Sequence, residues 1–166
     1  MPKIRLIDEK FRQEPGHFLL QSLMAFVVIA AIILAMGALT NGALVAALGA
    51  SAFIVFALPA HKTAKPRSLI GGHLLCMGIG LLCSIPFRAG LLEHTTWAQG
   101  VIGAAAASIA LLGMVATDTE HPPAAGNALA FAVTSIGWPQ ALFTLGTIGL
   151  LSLVRWLLRG WLRDLA

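Results

Sequence analysis

"FLLQSLMAFVVIAAIILAMGA", Phe18 to Ala38, is twenty-one residues without one formal charge. A helix rises about 1.5 Å per residue and the hydrocarbon layer of a bilayer is about 30 Å thick, so roughly 20 apolar residues make a crossing. The run is long enough to span, and much longer than the roughly 7–15-residue apolar core of a cleaved signal; no clear cleavage site accompanies it. It reads as a permanent transmembrane helix, and the rest of the chain has the same character. Hydrophobic residues make up 58% of the 166, charged residues 11%, and the mean hydropathy is +0.86. Soluble domains carry about 25% charged residues. This length holds about six crossings of roughly 20 residues, with little left for loops and no soluble domain.

The net charge of +4 could suggest a nucleic-acid partner, but the distribution argues against one. Lys3, Arg5, Lys10 and Arg12 precede the first apolar run. Lys62, Lys65 and Arg67 share one loop, Arg155, Arg159 and Arg163 close the chain, and Arg88 stands apart. Basic residues gathered at the ends of apolar runs follow the positive-inside pattern of a membrane protein. With six crossings, all but Arg88 fall on one side. Both termini are therefore expected in the cytoplasm. The two cysteines, Cys76 and Cys83, lie on one predicted helix, too close together to bridge, and read as small packing residues.

The expected fold is all-α, a polytopic membrane helix bundle of about six helical segments, two of them short or broken. Residues 1–17 form a cytoplasmic or interfacial segment, 18–158 the transmembrane domain and 159–166 a cytoplasmic tail. The segments are Phe18–Ala38, Ala43–Leu58, Leu69–Ile85, Trp97–Ala116, Ala124–Ile136 and Pro139–Leu158. "TNG" at Thr40–Gly42 signals a turn, Thr95 or Thr96 can cap the fourth helix, and Trp156 and Trp161 suit an interfacial belt. The second and fifth segments are short and adjoin proline-rich polar stretches. Such paired interruptions point to broken helices around a transport site. "GAAAAS", Gly103–Ser108, lets another helix approach closely and suggests a homo-oligomer.

Two polar stretches stand between the apolar runs: "PAHKTAKPRS", Pro59–Ser68, and "TDTEHPPAAGN", Thr117–Asn127. Proline fits the first turn of a helix because the missing N–H would have no partner there. "HPPAAGN" thus reads as a helix start with His121 near the cap and Ala124 onward helical. "KPRSLIGGH" reads the same way, with Ser68 capping a helix from Leu69. Two helix N-termini then open on one side, and their free amides and dipoles attract anions. Lys65, Arg67, Ser68, Gly72, His73, His121, Pro122, Pro123 and Asn127 are the candidate substrate-binding residues. Asp118 and Glu120 are candidates for proton coupling or for pairing one loop with the other. His73 lies within an apolar helix, where ionisable residues usually face the bundle interior. It can equally be a neutral structural histidine bonded to a carbonyl. Asp118, Glu120 and His121 follow no recognised metal-ligand spacing, no nucleophile–base pair is visible, and "GIG" at Gly78–Gly80 is a packing device. No catalytic site, metal or cofactor is expected.

"HPPAAGNALAFA" together with "GASAFIVFALPAHKTAKPRSLIGGHLL" resembles the HPP family of integral membrane proteins. His121, Pro122 and Pro123 fall on the name-giving motif. Pro66, Arg67, Gly71, Gly72 and His73 fall on the family's Pro-Arg…Gly-Gly-His segment. The resemblance implies a small multi-helix membrane protein, and some members are associated with nitrite transport. The expected function is therefore transport or channelling of a small monovalent anion, nitrite first, held between two helix N-termini in a bacterial inner membrane. Asn127, just after the motif, is placed to donate to such a ligand. The alternative is a membrane scaffold or sensor subunit that binds a cytoplasmic partner through its basic face without solute flux.

Overall fold

The structure, a computed structural model, describes residues 9–37 and 41–165. Lys3, Arg5 and part of the expected Thr40–Gly42 turn lie outside the described residues. The elements in order are α1 (Glu9–Gln13), α2 (Pro15–Gly37), α3 (Gly42–Ala57), a 3-10 turn (Lys62–Ala64), α4 (Pro66–Cys83), α5 (Ile85–Arg88), α6 (Thr96–Ala116), α7 (Ala124–Val133) and α8 (Trp138–Leu158). Among the described residues there is no strand. Four helices, α2, α4, α6 and α8, are long and apolar enough to cross a membrane.

The short helices α3 and α7, with 16 and 10 residues, run antiparallel to their chain neighbours, α3 along the bundle and α7 from the bundle interior to one end. Cross-links at the two ends establish this. At one end Asn41 Nδ2 donates to Thr134 Oγ1 at 2.9 Å, Arg88 to the Ile136 carbonyl at 3.1 Å and Gln99 to the Val133 carbonyl at 3.4 Å. At the opposite end Gln21 donates to the carbonyls of Phe56 and Arg163, Arg155 to that of Pro59, and the Leu165 amide to Ala57. The chain thus runs in six antiparallel segments, and extended backbone from Thr134 to Ile136 completes the fifth. Glu14 pairs with Arg163, so the two ends of the described chain lie together. Every described lysine and arginine except Arg88 is at that end.

α7 is the hub. It packs on α3, α4 and α6, and Ala124, Asn127, Ala128, Ala130, Phe131 and Ala132 are buried. Small side chains allow the approach. A Cβ at Gly80 of α4 would lie 2.6 Å from the Ala128 carbonyl oxygen, and one at Gly72 would lie 2.8 Å from that of Thr119. The small-residue face of α6 is taken up the same way. Gly103, Ala106 and Ala110 are buried within the chain, and Gly103 lies against Leu129 of α7. That part of "GAAAAS" serves packing inside the subunit rather than contact between subunits. Outward, Leu19, Leu23, Phe26, Leu34, Leu111, Leu112 and Leu150 are exposed, as a lipid-facing surface requires.

Two helix starts differ from expectation. α4 begins at Pro66 with Lys65 as its N-cap residue, so Ser68 is a buried third residue of the helix and not its cap. Proline at the first position needs no amide partner, which moves the start three residues earlier. α5 is a further turn of helix after Ser84, where Pro86 again sits in a first turn.

Candidate functional site

α6 ends in a helix-terminating loop that decides where the histidine–proline turn goes. Asp118 adopts φ 56°, the left-handed conformation that closes many helices. The Thr119 amide then donates to the Met114 carbonyl at 2.9 Å. The chain folds back beneath α4 and touches Gly71 and Gly72. Gly72 is six residues into α4, about 9 Å below its start at 1.5 Å per residue. The turn Thr119–Pro123 therefore dips into the bundle with His121 fully buried and Pro122 still exposed, and non-helical backbone survives at such depth when protein shields it.

In this buried layer four side chains from different segments form one hydrogen-bonded chain. Asn127 Nδ2 of α7 lies 2.7 Å from His73 Nδ1 of α4. His73 Nε2 lies 2.9 Å from Ser51 Oγ of α3, and Ser51 Oγ lies 2.9 Å from His121 Nε2. His121 Nδ1 ends the chain 2.8 Å from the Thr63 carbonyl oxygen. Asn127, His73, Ser51 and His121 are all fully buried. The two imidazoles are 5.0 Å apart between centroids. The Asn127 carbonyl oxygen, Oδ1, has no partner although it is buried.

The direction of this chain follows from what each atom can do. A carbonyl only accepts, so His121 carries its proton on Nδ1 toward Thr63. The Asn127 amide nitrogen only donates, so His73 Nδ1 accepts and His73 Nε2–H donates to Ser51. Ser51 then has one hydroxyl proton to give, and the acceptor facing it is His121 Nε2. Its own i−4 carbonyl, on Ala47 at 2.9 Å, is the alternative acceptor.

The sequence-derived candidates thus separate. His73, His121 and Asn127 meet, with Gly72 against the His121 Cβ. Pro122 and Pro123 form the turn that leads into α7, and Ser68 is buried in the first turn of α4. Lys65 and Arg67 are exposed at the end of the bundle. Arg67 donates to the Thr117 carbonyl at 3.0 Å, capping α6 with a cation where the helix dipole favours one. The space expected between the two helix starts is filled by the close contact at Gly71 and Gly72. The first amides of α7 are also occupied: Ala124, Ala125 and Gly126 donate to His121, Pro122 and Pro123. Ser51 is the residue that sequence reasoning missed. Its only signal was a lone hydroxyl in an apolar run, and such serines usually bond their own i−4 carbonyl.

Asp118 and Glu120 both pair with Lys62, at 2.5 and 2.9 Å. Hydrogen bonds from Lys62 hold both carboxyls below their ordinary range, and those to Asp118 and then Glu120 raise the lysine. A depressed carboxyl stabilises above its unfolded pKa and loses that contribution as pH falls through the folded one. A raised lysine stabilises below its unfolded pKa and loses the effect as pH rises through the folded one. Lys62→Met should therefore lower the melting temperature at neutral pH. The difference from wild type should vanish below the ordinary carboxyl range of about 4. Equal melting temperatures at pH 7 would remove the pairing from any role in stability.

The HPP transmembrane region is the family description that matches this chain, over residues 10–162. Two transmembrane proteins of Dictyostelium discoideum are similar over 86 residues. One is 33% identical, covering 52% of this chain and 26% of its own length; the other is 34% identical, covering 52% and 28%. The aligned part thus spans about a quarter of the length of these curated relatives. No solved structure matches. A match across nearly the whole chain, on a bundle of apolar helices built around the histidine–proline turn, makes this protein a member of the HPP transmembrane family.

Proposed function

We propose that this chain is a transporter or channel for a small monovalent anion, with nitrite the first candidate, and that the solute passes through the Asn127–His73–Ser51–His121 layer. The observation that carries this reading is that layer itself: two imidazoles, a hydroxyl and an amide, all shielded, in the interior of a membrane bundle. Burying such groups costs free energy unless each is hydrogen-bonded, and ionisable groups at membrane depth mark solute or proton paths. The layer has no lysine, arginine or carboxylate in its hydrogen bonds. It would therefore supply hydrogen bonds from rotatable neutral donors, which suits a small anion better than a multiply charged one. Lys65 and Arg67 at the surface would raise the local anion concentration, which fits their exposure better than contact with a bound solute.

The test is nitrite uptake into proteoliposomes. Wild type should exceed protein-free vesicles, and His73→Ala and His121→Ala should return uptake to the protein-free level. Arg67→Ala should slow uptake at low ionic strength and matter little at high salt. Undiminished flux in both histidine variants would overturn the assignment of the layer. Partner binding without any flux would favour the scaffold reading instead.

A further inference from the structure

We propose that Asn127, His73, Ser51 and His121 form a binding site for a single proton, taken up together with the anion, and that Ser51 makes the two imidazoles one site. The pairing with an anion rests on the transport reading above; the proton site does not. Its basis is that the same chain of atoms can be written in two complete directions.

In the resting direction Asn127 donates to His73, His73 to Ser51, Ser51 to His121, and His121 to the Thr63 carbonyl. The side chains between Asn127 and Thr63 then carry three hydrogen-bonding protons, on His73 Nε2, Ser51 Oγ and His121 Nδ1. Both rings are neutral, and Asn127 Oδ1 is left unpartnered in the protein interior. In the reversed direction His121 holds protons on both nitrogens, donating to Thr63 and to Ser51. The Ser51 hydroxyl turns to His73 Nε2, and His73 Nδ1–H donates to Asn127 Oδ1 once the amide has rotated by half a turn. That direction carries four protons, one more than the first, and pairs Oδ1 while the amide nitrogen takes over the unpartnered position. The extra proton comes from hydronium in the bulk and enters at His73 Nδ1; the His73 Nε2 proton passes to Ser51 and the Ser51 proton to His121 Nε2, so each N–H or O–H bond lost is replaced by one formed. Both directions use the donor–acceptor separations of 2.7 to 2.9 Å already present.

Ser51 couples the rings because its oxygen lies 2.9 Å from both Nε2 atoms and it owns one proton. While its proton goes to an imidazole it accepts from one ring and donates to the other; both rings can donate to it only if that proton turns to the Ala47 carbonyl at 2.9 Å. The second charge would also meet the first across 5.0 Å.

The surroundings explain why an anion should accompany the proton. From α4, the nearby titratable side chain is the Cys76 thiol, which is turned onto Met114 of α6. The segments on either side of the layer offer Lys62, Asp118 and Glu120; the Glu120 carboxylate, next to His121 in sequence and partly buried, is paired with Lys62, as is the exposed Asp118. α3 and α7 bring Ser51 and Asn127 and no charged group. A lone imidazolium here is a buried charge without a counter-ion, which is costly. A monovalent anion beside it supplies the missing charge, so each makes room for the other.

The test uses full-length protein in lipid with His17, His61 and His94 replaced by glutamine, leaving His73 and His121 as the histidines, and reads their 15N resonances by solid-state NMR. At pH 7.5 one ring should be the Nε2–H tautomer (His73) and the other the Nδ1–H tautomer (His121). Acidification with nitrite present should add one proton per chain in one transition, giving an Nδ1–H His73 and a doubly protonated His121. Ser51→Ala should split this into independent titrations with the His73 tautomer unchanged, and Ser51→Thr, which keeps the hydroxyl, should restore it. Rings that keep their resting tautomers until the protein unfolds would overturn the proposal, as would identical titrations in wild type and Ser51→Ala. In proteoliposomes one proton should enter per nitrite, reported by a pH dye, and nitrite entry without protons would overturn the coupling. An intact NMR transition without nitrite flux would remove the transport reading and leave the proton site standing.

Discussion

Gly80→Ala should destabilise the protein by about 1–3 kcal/mol, the usual cost of an extra methyl group in a close-packed interior. Gly78→Ala, two residues away in the same helix, should cost nothing. The added Cβ at position 80 would lie 2.6 Å from the Ala128 carbonyl oxygen, 2.7 Å from the Phe131 Cβ and 3.2 Å from the Ala128 Cα. These are main-chain atoms and a Cβ, so no side-chain rotation relieves the overlap; α4 and α7 must move apart. At Gly78 a Cβ meets nothing within 4 Å. There the higher helix propensity of alanine acts alone, adding up to about 1 kcal/mol. Denaturation of the detergent-solubilised protein, by heat or by titration with SDS, measures the contrast. Equal midpoints for the two variants would mean that the contact between α4 and α7 is looser than these distances imply. Because α7 carries Asn127 and follows directly from His121, its displacement should also lower nitrite flux.

Asn127→Leu should be the other large effect, at about 1–3 kcal/mol, the cost of leaving a buried polar atom unsatisfied. Asn127 is fully buried, and its amide is the partner of His73 Nδ1 at 2.7 Å. Leucine removes the donor and keeps the volume roughly constant, so the imidazole loses a hydrogen bond that no water replaces. His73→Phe should cost a similar amount by orphaning the amide. The double variant should then be more stable than the sum of the singles predicts, with a coupling of about 0.5–3 kcal/mol, because both ends of the bond become apolar together. Strict additivity would mean that this hydrogen bond contributes little. Nitrite flux should be absent from both singles and from the double variant. A double variant that regains stability while staying inactive would separate the role of these residues in folding from the transport role proposed for them.

Much of the fold was legible from the chain. The helices α2, α6 and α8 lie within a few residues of the runs Phe18–Ala38, Trp97–Ala116 and Pro139–Leu158. A stretch too apolar for water and too long for a loop has few alternatives to a spanning helix. Thr95 caps α6 as its type and position suggest, accepting from the Ala98 amide at 3.2 Å. Of the site, His73, His121 and Asn127 were visible because a polar side chain inside an apolar run needs a reason. Lys65 and Arg67, near the motifs in sequence, stand apart from the buried layer in space. Their long side chains reach water at the rim, and Arg67 finds the carbonyl left open at the end of α6. Ser51 was invisible because serine is small enough to satisfy itself within its own helix.

An all-helical membrane bundle with several spanning helices and two short ones, and the basic character of one end, followed from the sequence by itself. These properties add up along local stretches: transfer free energy accumulates residue by residue, and a charge stays wherever its segment ends. Which polar groups meet was decided by the tertiary structure alone. Ser51 reaches His73 across 22 positions and His121 across 70. A hydrogen bond requires a match within a few tenths of an ångström. That match depends on how deeply the turn Thr119–Pro123 sinks beneath Gly71 and Gly72, a product of packing between helices that no local pattern records.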